Sequence, residues 1–289
     1  MPTYIVSRPL ARVCQFTRTQ VLMLGLPLAV LLVAAAPMAG QVAPRSHNAT
    51  TTLNDGSPSD LIAQGDRESS ARRPAAALSL YERAIQLEAT NYAALWKASR
   101  EAVDLGEFEA SESVRTGLYT KATDYARRAT AANPSDAEGH FNLSRAIGRT
   151  ALAVGPKDRI KYAVEVRDQA REALRLDPRH PGALHVLGVW NAEVMRLNGF
   201  TRTMARAFLG GKVLDSANWA DAQRYLEEAV RIEPSRLVHH LDLARIYRDI
   251  GRKDAARTEY QAAIRSPDID ANDDRYRQSA EEELRRLRK

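Results

Sequence analysis

His239 and His240 beside Asp242, with His180 and His185 upstream, are the residue types that bind zinc or move protons near neutral pH. Adjacent helical residues diverge by about 100°, and residues five apart do not share a face, so neither pair forms a chelate within one helix. Leu209-Gly210-Gly211-Lys212-Val213 has the outline of a phosphate-binding loop. Its first glycine is missing, however, and Val213 stands where a magnesium-holding hydroxyl is required. Asp268, Asp270 and Asn272 begin like a calcium loop, but Asp273 replaces the obligatory glycine and Ser279 the bidentate glutamate. These acids are read instead as caps of the helix that follows. Glu227 and Glu228 lie on a helical face with no cleft to shift their pKa values, and Cys14 falls in an N-terminal export-type segment. The expectation is a chain with no catalytic residues, no cofactor and no metal site, and therefore not an enzyme.

What remains is binding chemistry, and it depends on the elements that carry it. From Asp221 to Ile264 a helical stripe of Ala222, Leu226, Ala229 and Val230 ends at Pro234. A second stripe, His240, Leu243, Ala244 and Tyr247, stops at Gly251, and a third follows with Ala256, Tyr260, Ala263 and Ile264. Ala222 to Ala256 and Ala229 to Ala263 are both 34 residues apart, the period of tetratricopeptide (TPR) repeats. Small residues at these points let helices approach, while Tyr or Leu fills the gap between them. The same template fits five repeats, at 58–91, 92–136, 137–180, 181–236 and 237–270, and a charged helix over 274–288 suits the polar end of a solenoid. The second, third and fourth repeats are 45, 44 and 56 residues long, and their excess falls between the two helices of each repeat. The fold expected is an all-α solenoid of about five TPR-like hairpins with a capping helix.

Asp177-Pro-Arg-His-Pro-Gly-Ala-Leu-His-Val-Leu-Gly-Val-Trp190, with Phe208-Leu209-Gly210, Leu226 to Pro234, and Leu241 to Tyr247 followed by Gly251, resembles the regulator of microtubule dynamics family of TPR-like proteins. The resemblance runs from about Tyr92 to Leu287 and implies the architecture; the family name also implies microtubule association. If the first helices line a concave face, as in TPR domains, Trp96, Phe141, His185 and Leu241 recur at one register of it. Arg100, Arg145, Arg149, Arg245 and Arg248 stand beside them. An aromatic strip flanked by guanidinium groups suits an extended peptide or protein with apolar anchors and acidic side chains. The competing reading packs Trp96 and Phe141 between repeats and leaves the arginines solvated or paired with Asp104, Asp242 and Asp249. The lysine and asparagine clamp of TPR domains that grip chaperone C-termini is absent. Within the insert 196–218, Phe200, Met204 and Phe208 fall four apart, with Arg196, Arg202, Arg206 and Lys212 around them. That pattern fits an amphipathic helix for a partner or an anionic membrane surface, or one that folds over the solenoid edge.

Basic Arg8, Arg12 and Arg18 precede an apolar run from Val21 to Ala36 and small residues through Gly40, the order of an export signal. The run spans roughly 24 Å as a helix, short of the ~30 Å hydrocarbon core, and Pro27 interrupts it. Residues 1–40 are therefore read as a signal peptide and 41–57 as a flexible linker, with the protein exported to the periplasm or cell envelope. Retention of the segment would make it a membrane anchor. Of the formal charge of +6, three units lie before residue 41, where no acid occurs, leaving 6 − 3 = +3 for the rest. So mild an excess, with no reader motif, gives no ground for a nucleic-acid partner.

Overall fold

The computed structural model describes residues 56–153, 156–197 and 211–287; the export segment, nearly all of the linker and most of the insert lie outside the described residues. Eleven α-helices and one 3-10 turn make up the described part, with no strand among them. They are α1 (Pro58–Ser70), α2 (Pro74–Leu87), α3 (Tyr92–Glu107), α4 (Glu112–Ala132), α5 (Ala137–Ala153) and α6 (Pro156–Leu176). After them come α7 (Pro181–Arg196), the 3-10 turn Gly211–Ser216, α8 (Trp219–Ile232), α9 (Leu237–Asp249), α10 (Lys253–Arg265) and α11 (Asp273–Leu287). None is long and apolar enough to cross a membrane.

The boundaries follow from local chemistry. Ser57 and Asp60 form a reciprocal capping box on α1, and the side chains of Asn91, Ser111 and Asn218 accept backbone N–H groups at the starts of α3, α4 and α8. Pro58, Pro74 and Pro181 open helices at the position where a missing N–H costs nothing. Where the repeats run long, the helices lengthen: α4 and α6 have 21 residues each, against 14 in α2 and 13 in α10.

Odd-numbered helices α1 to α7 and α9 each pack on their own hairpin partner and on the next first helix, while each second helix packs on the first helix that follows. The result is the all-α stack of helix hairpins that the 34-residue period implies, with α11 laid on α9 and α10. The seams are tight because one side is small. A Cβ placed on Gly65 would lie 2.4 Å from the Tyr81 ring, one on Gly106 2.5 Å from the Tyr119 ring, and one on Gly188 2.4 Å from Leu226. In the last hairpin Ala244 takes the small position and Tyr260 the large one, both fully buried. Four of the buried rings end in a hydroxyl that donates to a carboxylate: Tyr81 to Asp66 at 2.7 Å, Tyr125 to Glu82 at 2.8 Å, Tyr247 to Glu227 at 2.6 Å and Tyr260 to Glu283 at 2.8 Å. The apolar body fills the seam and the polar tip reaches its edge.

Gly188→Ala sets two effects against each other. Alanine favours a helix by about 1 kcal/mol, but its Cβ would meet a Leu226 that has no exposed surface to retreat into. Overpacking of this kind costs roughly 1–3 kcal/mol, so the variant is expected to melt several degrees below the parent in a calorimetric scan. A higher Tm would show that the seam has slack.

Candidate functional site

The five arginines expected as a row do stand on first helices, and each is joined to an acid. On α5, Arg145 reaches Asp104 of α3 at 2.5 Å, and Arg149, one turn on, pairs with Glu107, one turn on along α3. Side-by-side first helices make this matching periodic. On α9, Arg245 holds Asp242 at 2.8 Å and Glu283 of α11 at 2.6 Å; Arg248 holds Asp249 at 2.9 Å and Glu283 at 2.7 Å. Arg100 pairs with Glu101 at 2.8 Å and Ser69 at 2.9 Å, and lies over the Trp96 ring at 5.3 Å. Asp104, Asp242 and Asp249 are the partners that the competing reading names. Trp96 is half-buried against the first core cluster, with Lys97 also over its ring at 5.4 Å. Phe141 packs against His180, ring centroids 4.7 Å apart, and closes on Gly182, where a Cβ would lie 2.5 Å from the ring. Both aromatics are therefore packing residues, as the competing reading has them.

The histidines divide by position in the repeat. His140 and His240, at equivalent places, each bond the carbonyl of the preceding turn proline, Pro134 at 3.0 Å and Pro234 at 2.9 Å, and a second-helix side chain, Gln169 at 2.8 Å and Glu259 at 2.7 Å. They pin the hairpins. His180 caps α7 by accepting the Ala183 N–H at Nδ1. His185 and His239 meet across the boundary between the fourth and fifth repeats, Nδ1 to Nδ1 at 2.9 Å, with Asp242 3.2 Å beyond one and Glu233 3.3 Å beyond the other. Within-helix spacing gives no sign of this chain, because the two rings come from sequence positions 54 apart. Burial lowers the His239 imidazole to about 4, although Glu233 pulls the other way. The Asp242 carboxyl is raised by burial, but the bond from His185 and the Arg245 charge outweigh that and hold it well below the usual carboxylate range. Among the described residues no group of three or more His, Cys, Asp or Glu is arranged to hold a metal ion.

The segment leading into α11 differs from its reading as a set of helix caps. Asp268 takes Arg277 at 2.5 Å and, from the α1–α2 turn, Arg72 at 3.3 Å; Asp270 takes Arg236 at 2.9 Å. Only Asp273 serves local backbone, accepting the N–H groups of Ile269 and Asp270 at 2.8 and 2.7 Å. The other two acids are drawn away from the helix start because three guanidinium groups lie within reach. Asn272 donates to the Asp104 carbonyl at 2.9 Å, and Tyr276 meets Phe108 edge-on at 5.4 Å, so the chain end returns to α3. Two cavities flank α11 and share Arg245 and Ser279. One, of about 630 Å³, includes Arg196, Arg248, Lys253 and Glu283; the other, of about 320 Å³, includes Glu107, Phe108, Arg149 and Tyr276. The charged pattern of α11 reads in sequence as a polar end cap, and no local spacing links Glu283 to Arg245. The insert residues Phe200, Met204 and Phe208 lie outside the described residues.

This stack of hairpins with a terminal helix defines a TPR-like α-solenoid. A thermophilic TPR protein of Thermus thermophilus superimposes with a TM-score of 0.57 at 21% identity, over 78% of this chain and 98% of that one. The model for regulator of microtubule dynamics protein 1-3 matches residues 59–288, and the chain belongs to that family. Mouse regulator of microtubule dynamics protein 1 is 25% identical over 158 residues, 54% of this chain and 51% of its own length. The mouse protein 3 is 23% identical over 189 residues, 65% of this chain and 40% of its own. The chain thus spans about half the length, or less, of the curated relatives it matches.

An unfolded imidazole titrates near 6.5 and the folded His239 at about 4, so the unfolded state binds more protons between those values. Stability is then lost as pH falls through that window, by on the order of 3 kcal/mol for a shift of this size. His240, raised by Glu259 and the Pro234 carbonyl against burial, acts in the opposite sense. The expected result is a steeper loss of Tm from pH 6.5 to 4 in the parent than in His239→Gln. Parallel curves would remove His239 as the acid-sensitive group.

Proposed function

We propose that this chain is a non-enzymatic, exported scaffold that holds a protein partner on its first-helix face by the partner's acidic side chains. The observation that carries this reading is the Glu283 carboxylate, which gathers Arg245 at 2.6 Å, Arg248 at 2.7 Å and the Tyr260 hydroxyl at 2.8 Å beside an open cavity. A carboxylate held by three donors, two of them charged, marks chemistry suited to acidic side chains. Burial raises that carboxyl, yet the bond and charge of Arg245 keep it below its ordinary value, so it is ionised throughout the neutral range. Trp96, Arg100, Phe141, Arg145, Arg149 and His185 extend the same face toward the N-terminal repeats and provide apolar contact and further guanidinium groups. TPR-like stacking supports the scaffold role, since each hairpin adds one more pair of outward positions to a continuous surface.

Membership in the regulator of microtubule dynamics family favours a second reading, an adaptor on a cytoskeletal or organelle surface with the N-terminal segment retained as an anchor. An exported protein meets no tubulin, so the two readings exclude each other through the same segment.

Sequencing the N-terminus of the protein from its own cell is expected to start near Gln41; retention of residues 1–40 together with co-sedimentation on microtubules supports the second reading instead. Against an array of Glu-rich peptides and their Gln counterparts, the purified protein is expected to bind the acidic set. Trp96→Ala and Arg248→Ala are each expected to weaken that binding about ten-fold at a temperature where both variants keep their helical circular dichroism, a change of about 1.4 kcal/mol. Undiminished binding in both variants places the partner on another surface.

A further inference from the structure

The last helix does more than close the stack. Ala280 and Leu284 of α11 are buried in the C-terminal core with Ala256, Tyr260 and Ala263. A second stripe, Tyr276, Ser279 and Glu283, falls at i, i+3 and i+7 and faces the first helices. Tyr276 meets Phe108 just past the end of α3, Ser279 lines both cavities, and Glu283 takes the two guanidinium groups of α9. Ahead of the helix, Asn272 holds the Asp104 carbonyl and Asp268 takes Arg72 from the first hairpin. Residues 266–287 therefore run from the first repeat to the last across the face read above as the partner surface.

Charge and exposure show what kind of segment belongs there. Outside α11, the larger cavity is lined by Arg196, Arg245, Arg248 and Lys253 against Glu193 alone, and α11 brings Glu282 and Glu283 to them together with Arg286. The contacts with the N-terminal hairpins are few and partly wet: Phe108 is 42% exposed, and the Arg72 and Asp268 side chains are 41% and 31% exposed. Such contacts hold a segment in place weakly, because solvent screens the pair and the ring keeps a free side.

Resting on the reading of this face as an acidic-partner surface, we infer that residues 266–287 are its intramolecular occupant and that the partner is an amphipathic helix which replaces them. The replacing helix carries an aromatic residue and a glutamate seven positions apart on one stripe. Its other stripe is a small residue and a leucine four apart, to cover the surface left by Ala280 and Leu284. Helix-in-groove recognition uses this i, i+3, i+4, i+7 pattern of anchors.

The test uses the full chain and a fluorescent peptide of its own residues 269–289. Peptide binding is measured by anisotropy to the parent and to the double variant Asn272→Ala/Tyr276→Ala, which frees the segment from α3 and keeps Ala280, Leu284 and Arg245 unsubstituted. The double variant is expected to bind at least ten-fold more tightly than the parent, and the peptide carrying Glu283→Gln is expected to lose that gain. Equal binding to both proteins, binding to neither, or full binding of the Glu283→Gln peptide overturns the inference. Where the double variant has lost its helical circular dichroism, Asp268→Asn, which releases only Arg72 and Arg277, makes the same comparison. Because the peptide is the chain's own, this outcome is independent of the peptide array: failure there with success here removes the acidic-partner reading and leaves the occupant.

Discussion

The stack is held by the approach of a helix that gives up its side chain to a neighbour that fills the space. Gly65 beneath Tyr81, Gly188 beneath Leu226 and Ala244 beneath Tyr260 bring paired helices together at separations that a second branched residue would forbid. Everything regular in the stack depends on that asymmetry. The dispersion gained by a ring or leucine lying flat on bare backbone is summed over many atoms, and much of it is lost if the fit opens by a fraction of an ångström. Polar tips then settle at the edges of the seams, where a carboxylate from the same hairpin or from its neighbour receives them.

Once the first helices are fixed side by side, the charges on them have little freedom. Arg145 and Arg149 sit one turn apart on α5 and find Asp104 and Glu107 one turn apart on α3. On α9 the next pair, Arg245 and Arg248, has acids in its own helix and still converges on Glu283 from α11. A row of guanidinium groups on a solenoid therefore means a network whose acids are partly internal. Any incoming carboxylate would have to compete with a carboxylate already present, so charge alone would not secure a place on this face.

The fold is legible in the sequence because its signals are local. The alanine stripes, the turn prolines at Pro134, Pro178 and Pro234 and the 34-residue recurrence all lie within one or two hairpins, and they specify an all-helical stack whichever partner it serves. The extra residues of the long repeats imply longer helices or bulges, and in α4 and α6 lengthening takes much of the excess. The face is legible only in part. Arg145 with Asp104 and Arg248 with Asp249 follow from register, whereas Arg245 with Glu283 and Asn272 with Asp104 join positions 38 and 168 residues apart. The histidines show the same limit: His185 and His239 look unrelated in sequence and touch only because two repeats are stacked. Asp268 and Asp270 mislead as helix caps for the same reason, since Arg72 and Arg236 come from elements that no nearby spacing identifies.

Linear stacks of repeats ordinarily have two loose ends, because the outermost hairpin is flanked on one side only and opens before the middle does. Here Arg72 of the opening hairpin is tied to Asp268 near the finish, and Asn272 is tied to α3. A chain fastened back on itself in this way links its two extremities, though only by bonds that solvent weakens. The coupling lasts only while the final helix stays seated, so its departure would return the stack to two ends that open independently.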